Sequence, residues 1–283
     1  MTIPVSFEFF PTKTDAGTEK LLVVHRELQA LHPAYFSVTY GAGGSTRDRT
    51  LSIIDALNGQ GTPIAPHLSC IGDSKAKIAE LLDLYQSKGI DRIVALRGDL
   101  PSGQVGLGEL PYARDLVEFI RAHSGDHFKI EVAAYPEMHP QALSFGHDVQ
   151  SLVRKFDAGA TSAITQFFFN ADSYFHLVEQ VQKAGVFAPI IPGIMPITNA
   201  SNLIRFADSC GAEIPRWMRR TLESYGDDAE SIKAFGLRQR QVENRRLSPH
   251  LLINAAGFLG APRGNKTRQQ PAQRLGQADD SGI

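Results

Sequence analysis

Seven apolar, strand-like runs punctuate the chain at nearly even intervals. They begin near Val5 (VSFEFF), Tyr35 (YFSVTYG), Pro63 (PIAPHLS), Arg92 (RIVALRG), Lys129 (KIEVAAYP), Ser162 (SAITQFFF) and Ile190 (IIPGIMP). Successive starts lie 30, 28, 29, 37, 33 and 28 residues apart, close to the ~30 residues of one strand–helix–strand unit. Several runs are apolar almost throughout, as expected of strands covered on both faces. Amphipathic helical patterns fill the intervals. Ser74 is placed to N-cap one of them, with Ile78, Leu81, Leu82 and Tyr85 on one face and Gly89 to close it. A second starts near Ser144, turns Val149, Leu152, Val153 and Phe156 inward and stops at Gly159. A third carries Tyr174, Leu177, Val178 and Val181 and stops at Gly185.

Strict alternation of strand and helix predicts one parallel α/β domain. Seven units are visible, and eight would close a TIM barrel. A doubly wound open sheet would follow its first strand with G-x-G-x-x-G; here the first strand runs into PTKTDAG, and no Walker A sequence occurs. The expected fold class is therefore α/β, a (β/α)8 TIM barrel, with its eighth strand unassigned. The nearest candidate, HLLINAAGFLG, is rich in alanine and glycine, which suit strands poorly. From Arg238 to Ile283 the chain holds eight Lys+Arg, three Asp+Glu, six Gln and a single aromatic residue, Phe258. LRQRQVENRRLSPH keeps a weak helical period, and the segment from Gly260 onward reads as disorder. The expected division is a barrel domain over residues 1–260 and a disordered polar tail over 261–283.

Composition narrows the class without naming it. The 283 residues are 42% hydrophobic and 21% charged with a net charge of −1, which argues against a nucleic-acid or acidic-membrane partner. No apolar run approaches the ~20 residues of a membrane span, and the first residues lack a signal-peptide pattern, so the expected location is cytoplasmic. Cys70 and Cys210 cannot build a disulfide framework or a structural zinc site.

Chemistry collects where the apolar runs end, which in a parallel barrel is the site-bearing face. Glu8 sits among Phe7, Phe9 and Phe10. A carboxylate there either pairs across the barrel with a Lys or Arg, or is held protonated by desolvation as a general acid. Run four ends in Arg97-Gly98-Asp99, an internal ion pair or a phosphate- and ring-binding pair. His67 and His139 lack companions at metal-ligand spacing, so no metal is expected, and each would hydrogen-bond a cofactor or a core group. Gln166 can read a heterocycle edge or cap a strand-end backbone group. Gly41-Ala42-Gly43-Gly44 allows close approach of a ligand or is simply a turn. Together these describe an enzyme holding an aromatic, polar-edged ligand beside one buried acid.

Seven motifs in order, VSFEFFPTKT, FSVTYGAGG, APHLSCI, IVALRGDLP, AAYPEMHP, AITQFFF and IIPGIMPIT, resemble the bacterial type of the methylenetetrahydrofolate reductase family over roughly residues 3 to 237. The resemblance implies an FAD-bound barrel that uses NADH or NADPH to reduce 5,10-methylenetetrahydrofolate to 5-methyltetrahydrofolate, feeding methionine synthesis, in a homo-oligomer. It implies catalytic roles for Glu8, as general acid, and for Asp99. Gln166 would contact the substrate together with Asp99 and Glu8. Thr39, His67, Arg97, Gly98, Asp99, Tyr112, Tyr135, His139, Asp148 and Lys155 fall on positions resembling FAD contacts. Neither NADH nor NADPH is favoured by any residue. The chain departs from the family pattern at Ala200, where an aromatic residue usually stacks on the substrate, and in an atypical tail after about residue 237. Two other readings remain at this stage: a flavin-binding barrel impaired by that tail, and a barrel flavoenzyme of the proline-dehydrogenase kind.

Overall fold

A computed structural model describes residues 5–40, 47–99, 108–247 and 253–256. All seven sequence-read runs are strands: β1 (Val5–Phe9), β2 (Phe36–Val38), β3 (Ile64–Ser69), β4 (Arg92–Leu96), β5 (Lys129–Ala134), β6 (Ser162–Thr165) and the pair β7 (Ile190–Ile191) and β8 (Gly193–Ile194). Pro192 separates β7 from β8 because it has no N–H for the ladder. Helices α1 (Asp15–Gln29) to α6 (Ala171–Lys183) alternate with these strands, α2 being Arg47–Leu57 and α4 Ala113–Ser124. The three helices read from periodicity stand as expected. α3 (Lys75–Ser87) is capped by Ser74, whose hydroxyl accepts from the Lys77 amide at 3.3 Å. Ser144 does the same for α5 (Phe145–Asp157). Gly89, Gly159 and Gly185 follow α3, α5 and α6 at φ of 72°, 111° and 89°, a region that costs other residues strain.

The eighth strand does form, and it lies in the candidate that composition made look poor. β9 (Ile253–Ala256) pairs in parallel with β1 through Val5↔Ile253 to Glu8↔Ala256, and with β8 through Gly193↔Asn254 and Ile194↔Ala255. The sheet order β7-β6-β5-β4-β3-β2-β1-β9-β8 therefore returns to its own start, since β7 and β8 are one interrupted strand. Every pairing is parallel. Three helices separate β8 from β9: α7 (Ala200–Cys210), α8 (Arg216–Ser224) and α9 (Ala229–Arg246). α9 takes up the weakly periodic segment after Leu237. The proposed tail over 261–283 lies outside the described residues.

Two apolar layers follow from the two-residue period of the strands. Outward residues such as Phe7, Phe9, Ile93 and Val132 pack under the helices in one large cluster. Inward residues Tyr35, Ala65, Val94, Ile164 and Ile191 meet inside the barrel. Below them, at the amino ends of the strands, a polar cluster fills the bore. Glu131 is fully buried; it accepts from the Tyr35 hydroxyl at 2.7 Å and pairs with Arg92, whose guanidinium lies 4.6 Å from the centre of the Tyr35 ring. Above them lies the site. A further cluster, including Leu203, Met218, Leu222 and Phe235, joins α7, α8 and α9 to Phe167 after β6.

Candidate functional site

The same period places the polar residues. Glu131, Ala133 and Tyr135 share the inner face of β5 and its extension, Ile164 and Gln166 that of β6, and Ala65 and His67 that of β3. On β1 the inner residues are Ser6, Glu8 and Phe10. This corrects the sequence picture of Glu8: Phe7 and Phe9 point to the opposite side, against Phe36 and His25. The barrel interior, rather than a jacket of three phenylalanines, keeps water from the carboxylate.

Glu8, His67, Tyr135 and Gln166 line one cavity of about 210 Å³ at the carboxyl ends of the strands. Its walls are otherwise mostly apolar, with Leu96, Ile164, Phe167 and Met195 prominent, a lining suited to a flat ring with polar edges. The Glu8 side chain is 16% exposed and finds no Lys or Arg among the described residues. Its Oε2 instead lies 3.4 Å from His67 Nε2, on a side chain 7% exposed. The contact is close but not aligned, so His67 Nε2 is a buried polar atom with no hydrogen bond. Such an atom at a cavity wall fits a ligand group better than a finished core. The Gln166 Oε1 accepts from the Phe167 amide at 3.0 Å, so the side chain does cap the strand end. It also lines the cavity, and the two readings of Gln166 are compatible.

Tyr135 is shared with a neighbouring groove of about 330 Å³ between α4 and α5, which Arg97, Tyr112, His139, Asp148 and Lys155 also line. Sequence reading missed the other polar groove residues, Arg114, Gln141, His147, Ser151 and Arg154. Arg97, Arg114, Arg154 and Lys155 line the groove against Asp148, with Arg114 also paired to Asp115 at 3.2 Å, so a net positive charge remains, a setting suited to a pyrophosphate. Of the two readings of Arg97-Gly98-Asp99, the Arg97–Asp99 ion pair is not made. The Arg97 guanidinium donates to Gln141 Oε1 at 2.7 Å and to the Gly98 carbonyl at 3.2 Å.

The loop after β5 is tied down on several sides. The His139 amide donates to Asp148 Oδ2 at 2.8 Å, and the Gln141 amide donates to His139 Nδ1 at 3.0 Å. The Tyr135 and His139 rings meet edge-on at 4.5 Å. Met138, between them, holds φ at 147°, a strained value of the kind that persists where surroundings over-determine it. Burial lowers the His139 pKa below its usual value, which keeps the ring neutral, and burial with the Asp99 carboxylate nearby pushes Tyr135 up to about 12. Lys155 donates to the Ala133 carbonyl at 2.5 Å, and desolvation pulls its ammonium down to about 8 against the opposing pull of Asp148.

Three expected site residues line neither hollow. Asp99 is exposed at the end of β4 and acts on Tyr135 through its charge. Gly98 has φ of 86°, and a Cβ there would fall 1.8 Å from Ser69 Oγ, so close packing explains the glycine. Thr39 carries the ladder past β2, its amide donating to the Phe9 carbonyl at 2.9 Å and its carbonyl accepting from Thr50. The glycine-rich stretch 41–44 lies outside the described residues. Among the described residues no cluster of three His, Cys, Asp or Glu could hold a metal, and no helix is long and apolar enough to cross a membrane.

A closed parallel barrel with an acid, a histidine and an amide gathered at the carboxyl ends of its strands, beside a cationic groove, is the build of a (β/α)8-barrel enzyme. The family model described as methylenetetrahydrofolate reductase matches residues 2–255. The chain is 44% identical over 235 residues to 5,10-methylenetetrahydrofolate reductase of Escherichia coli (strain K12), covering 83% of this chain and 78% of that one. It is 39% identical over 246 residues to methylenetetrahydrofolate reductase (NADH) 1 of Arabidopsis thaliana, covering 82% of this chain and 42% of the plant protein. An uncharacterized protein from Clostridium thermocellum that binds two copies of 5-methyl-5,6,7,8-tetrahydrofolic acid superposes with a TM-score of 0.63 at 14% identity over 93% of this chain and 90% of that one, a likeness of fold. The chain belongs to the methylenetetrahydrofolate reductase family. The family match extends to residue 255 and takes in most of β9.

Proposed function

We propose that this protein reduces 5,10-methylenetetrahydrofolate to 5-methyltetrahydrofolate, with a nicotinamide dinucleotide as donor and FAD as the resident carrier, and so feeds methionine synthesis. The observation that carries this reading is the shared cavity in which Glu8, His67 and Gln166 converge next to the cationic groove. FAD fits the residues present: the groove supplies Arg97, Arg114, Arg154 and Lys155 for its phosphates. The unbonded His67 Nε2 and the Tyr135 wall face the space for its ring. When bound, the flavin supplies hydride transfer, accepting from the nicotinamide and delivering to the folate.

The chain's own work is binding and proton handling. Gln166 offers its amide to the edge of the pterin; Asp99, which the family pattern also assigns to the ring, stands outside both hollows and acts through its charge on Tyr135. Glu8, which lines the same cavity, gives its proton to the ring nitrogen that leaves as the five-membered folate ring opens to the reactive iminium. Apolar walls exclude the water that would hydrolyse that cation. Thr39, Gly98, Tyr112, His139 and Asp148 shape or tie down the flavin-side loops.

Glu8→Gln keeps the shape of the side chain and removes the proton. Folate reduction should fall by about 10²- to 10⁴-fold, while reduction of the bound flavin by NADH continues at the wild-type rate. Rapid-mixing spectroscopy reads both half-reactions separately. A variant that still reduces methylenetetrahydrofolate at the wild-type rate, or a wild-type protein that carries no flavin, would refute the proposal.

A further inference from the structure

The loop after β5 lies between two supports, and each holds it at a different residue. On the α5 side Asp148 accepts from the His139 amide at 2.8 Å, and the Ala142 amide closes a turn onto the His139 carbonyl at 2.8 Å. On the other side stands the corner between α7 and α8, 76 positions further along the chain. There Glu137 Oε2 accepts from the Glu213 amide at 2.7 Å. Three residues on, Pro140 packs against Gly211, which ends α7 at a φ of 73°; a Cβ on Gly211 would fall 2.6 Å from Pro140 Cγ.

The corner is a firm anchor. Ala212 and Ile214 are buried in the cluster that α7, α8 and α9 share with Phe167, and the Ala212 amide closes α7 onto the Ala207 carbonyl at 3.0 Å. α7 itself reaches the reaction cavity through Phe206, whose ring lies flat on that of Phe167 with centres 5.6 Å apart. Glu137 is a half-buried carboxyl with no Lys, Arg or His paired to it among the described residues, and burial raises its pKa. A carboxyl drawn partly out of water for a single backbone hydrogen bond costs stability, and its effect here is on position. Glu137 is the fixed point before Met138, at φ of 147°, and His139 is the fixed point after it. A residue with a side chain keeps such an angle only while both neighbours are held. Tyr135, two residues before Glu137, lines the reaction cavity and the groove, and His139, two residues after, lines the groove.

We propose that Glu137 is a positioning residue: its bond to the α7–α8 corner, with the Pro140–Gly211 contact, holds the β5–α5 loop in its strained form and keeps Tyr135 and His139 at the walls that receive the flavin. That the ligand is a flavin rests on the function proposed above. Glu137 lines neither hollow and acts through the loop alone.

The test titrates the flavin-free full chain with FAD and follows amide hydrogen exchange of residues 136–142 before FAD is added. Glu137→Ala should raise the FAD dissociation constant about tenfold, the worth of one hydrogen bond to a charged group, and should speed exchange at the His139 and Gln141 amides. Glu137→Gln keeps an oxygen for the Glu213 amide and should stay within about threefold of wild type in both readouts. Met138→Gly removes the strain, so adding Glu137→Ala to it should cost less than about threefold in FAD affinity. Wild-type affinity in Glu137→Ala, even with a lowered Tm, would leave Glu137 a purely structural contact and overturn the proposal. So would a glutamine variant as weak as the alanine one, or the same tenfold loss with and without Met138. A wild type that binds no FAD, with exchange still faster in Glu137→Ala and normal in Glu137→Gln, would uphold the tie and overturn the cofactor reading instead.

Discussion

Replacing Glu131 by glutamine isolates what the polar cluster at the foot of the barrel contributes. The substitution keeps the volume and leaves an oxygen to accept from the Tyr35 hydroxyl, but it takes away the charge that faces Arg92. Glu131 is fully buried, whereas the Arg92 side chain is 21% exposed. Breaking a buried ion pair from one side costs about 3–5 kcal/mol. Arg92 can recover some hydration at its exposed edge, which places this case near the lower end, about 3 kcal/mol. At about 2–4 °C per kcal/mol for a domain approaching this size, Tm should fall by roughly 6–12 °C. Circular dichroism melts of wild type and variant measure it, and the remaining folded protein should still reduce its flavin, because the cluster lies at the opposite end of the strands from the site. The double variant Arg92→Met/Glu131→Leu removes both charges and should regain most of the loss, since two apolar side chains carry no desolvation cost. A Tm for Glu131→Gln within about 2 °C of wild type, or a double variant as unstable as the single one, would refute this account.

Two pH dependences follow from other buried groups. His25 sits on α1 with its ring 4.4 Å from that of Phe36, its Nε2 has no hydrogen bond, and burial lowers its pKa below the usual 6.5. The unfolded chain therefore holds the proton more tightly, so the His25 contribution is intact above about pH 6.5 and is lost as pH falls below it. Urea midpoints between pH 7 and 5 should decline less steeply in His25→Leu, and parallel profiles would count against the assignment. Lys155, held down to about 8, should lose its charge between pH 7 and 9. Flavin dissociation should then rise above pH 8 in the wild type, and Lys155→Met should bind flavin weakly at every pH without that limb; identical profiles by fluorescence titration would exclude Lys155 as a phosphate contact.

How much of this the sequence could tell depended on which physical signal marks each element. Strands β1 to β6 and the β7–β8 pair announce themselves because burial on both faces demands continuous apolar runs. Helices α3, α5 and α6 do so because caps and period agree. β9 was hidden because Ile-Asn-Ala-Ala has little strand propensity of its own. Its pairing follows from the two open ladders of β1 and β8 beside it, a tertiary cause that no local window contains. In the site, Glu8, His67 and Gln166 were legible as polar residues inside apolar runs. Arg114, Gln141, Arg154 and Phe206 were not, because they stand on helices and a loop where such residues are ordinary on any solvated surface. The inward direction of Glu8 follows from strand period, which also turns its sequence neighbours Phe7 and Phe9 to the opposite face.

The β1–β9 ladder also orders events in time. Val5 and Ile253, its first partners, stand 248 positions apart, so one of the earliest strands synthesised waits for one of the last. At about 5–20 residues per second of translation, the edge of β1 stays open for roughly 12–50 s while everything between is made. Throughout that interval the nascent chain presents an unsatisfied row of backbone donors and acceptors, including those of the very strand that carries Glu8. Ring closure is thus a terminal step of biogenesis, and a ribosome that stalls before residue 253 leaves an adhesive intermediate rather than a smaller working enzyme.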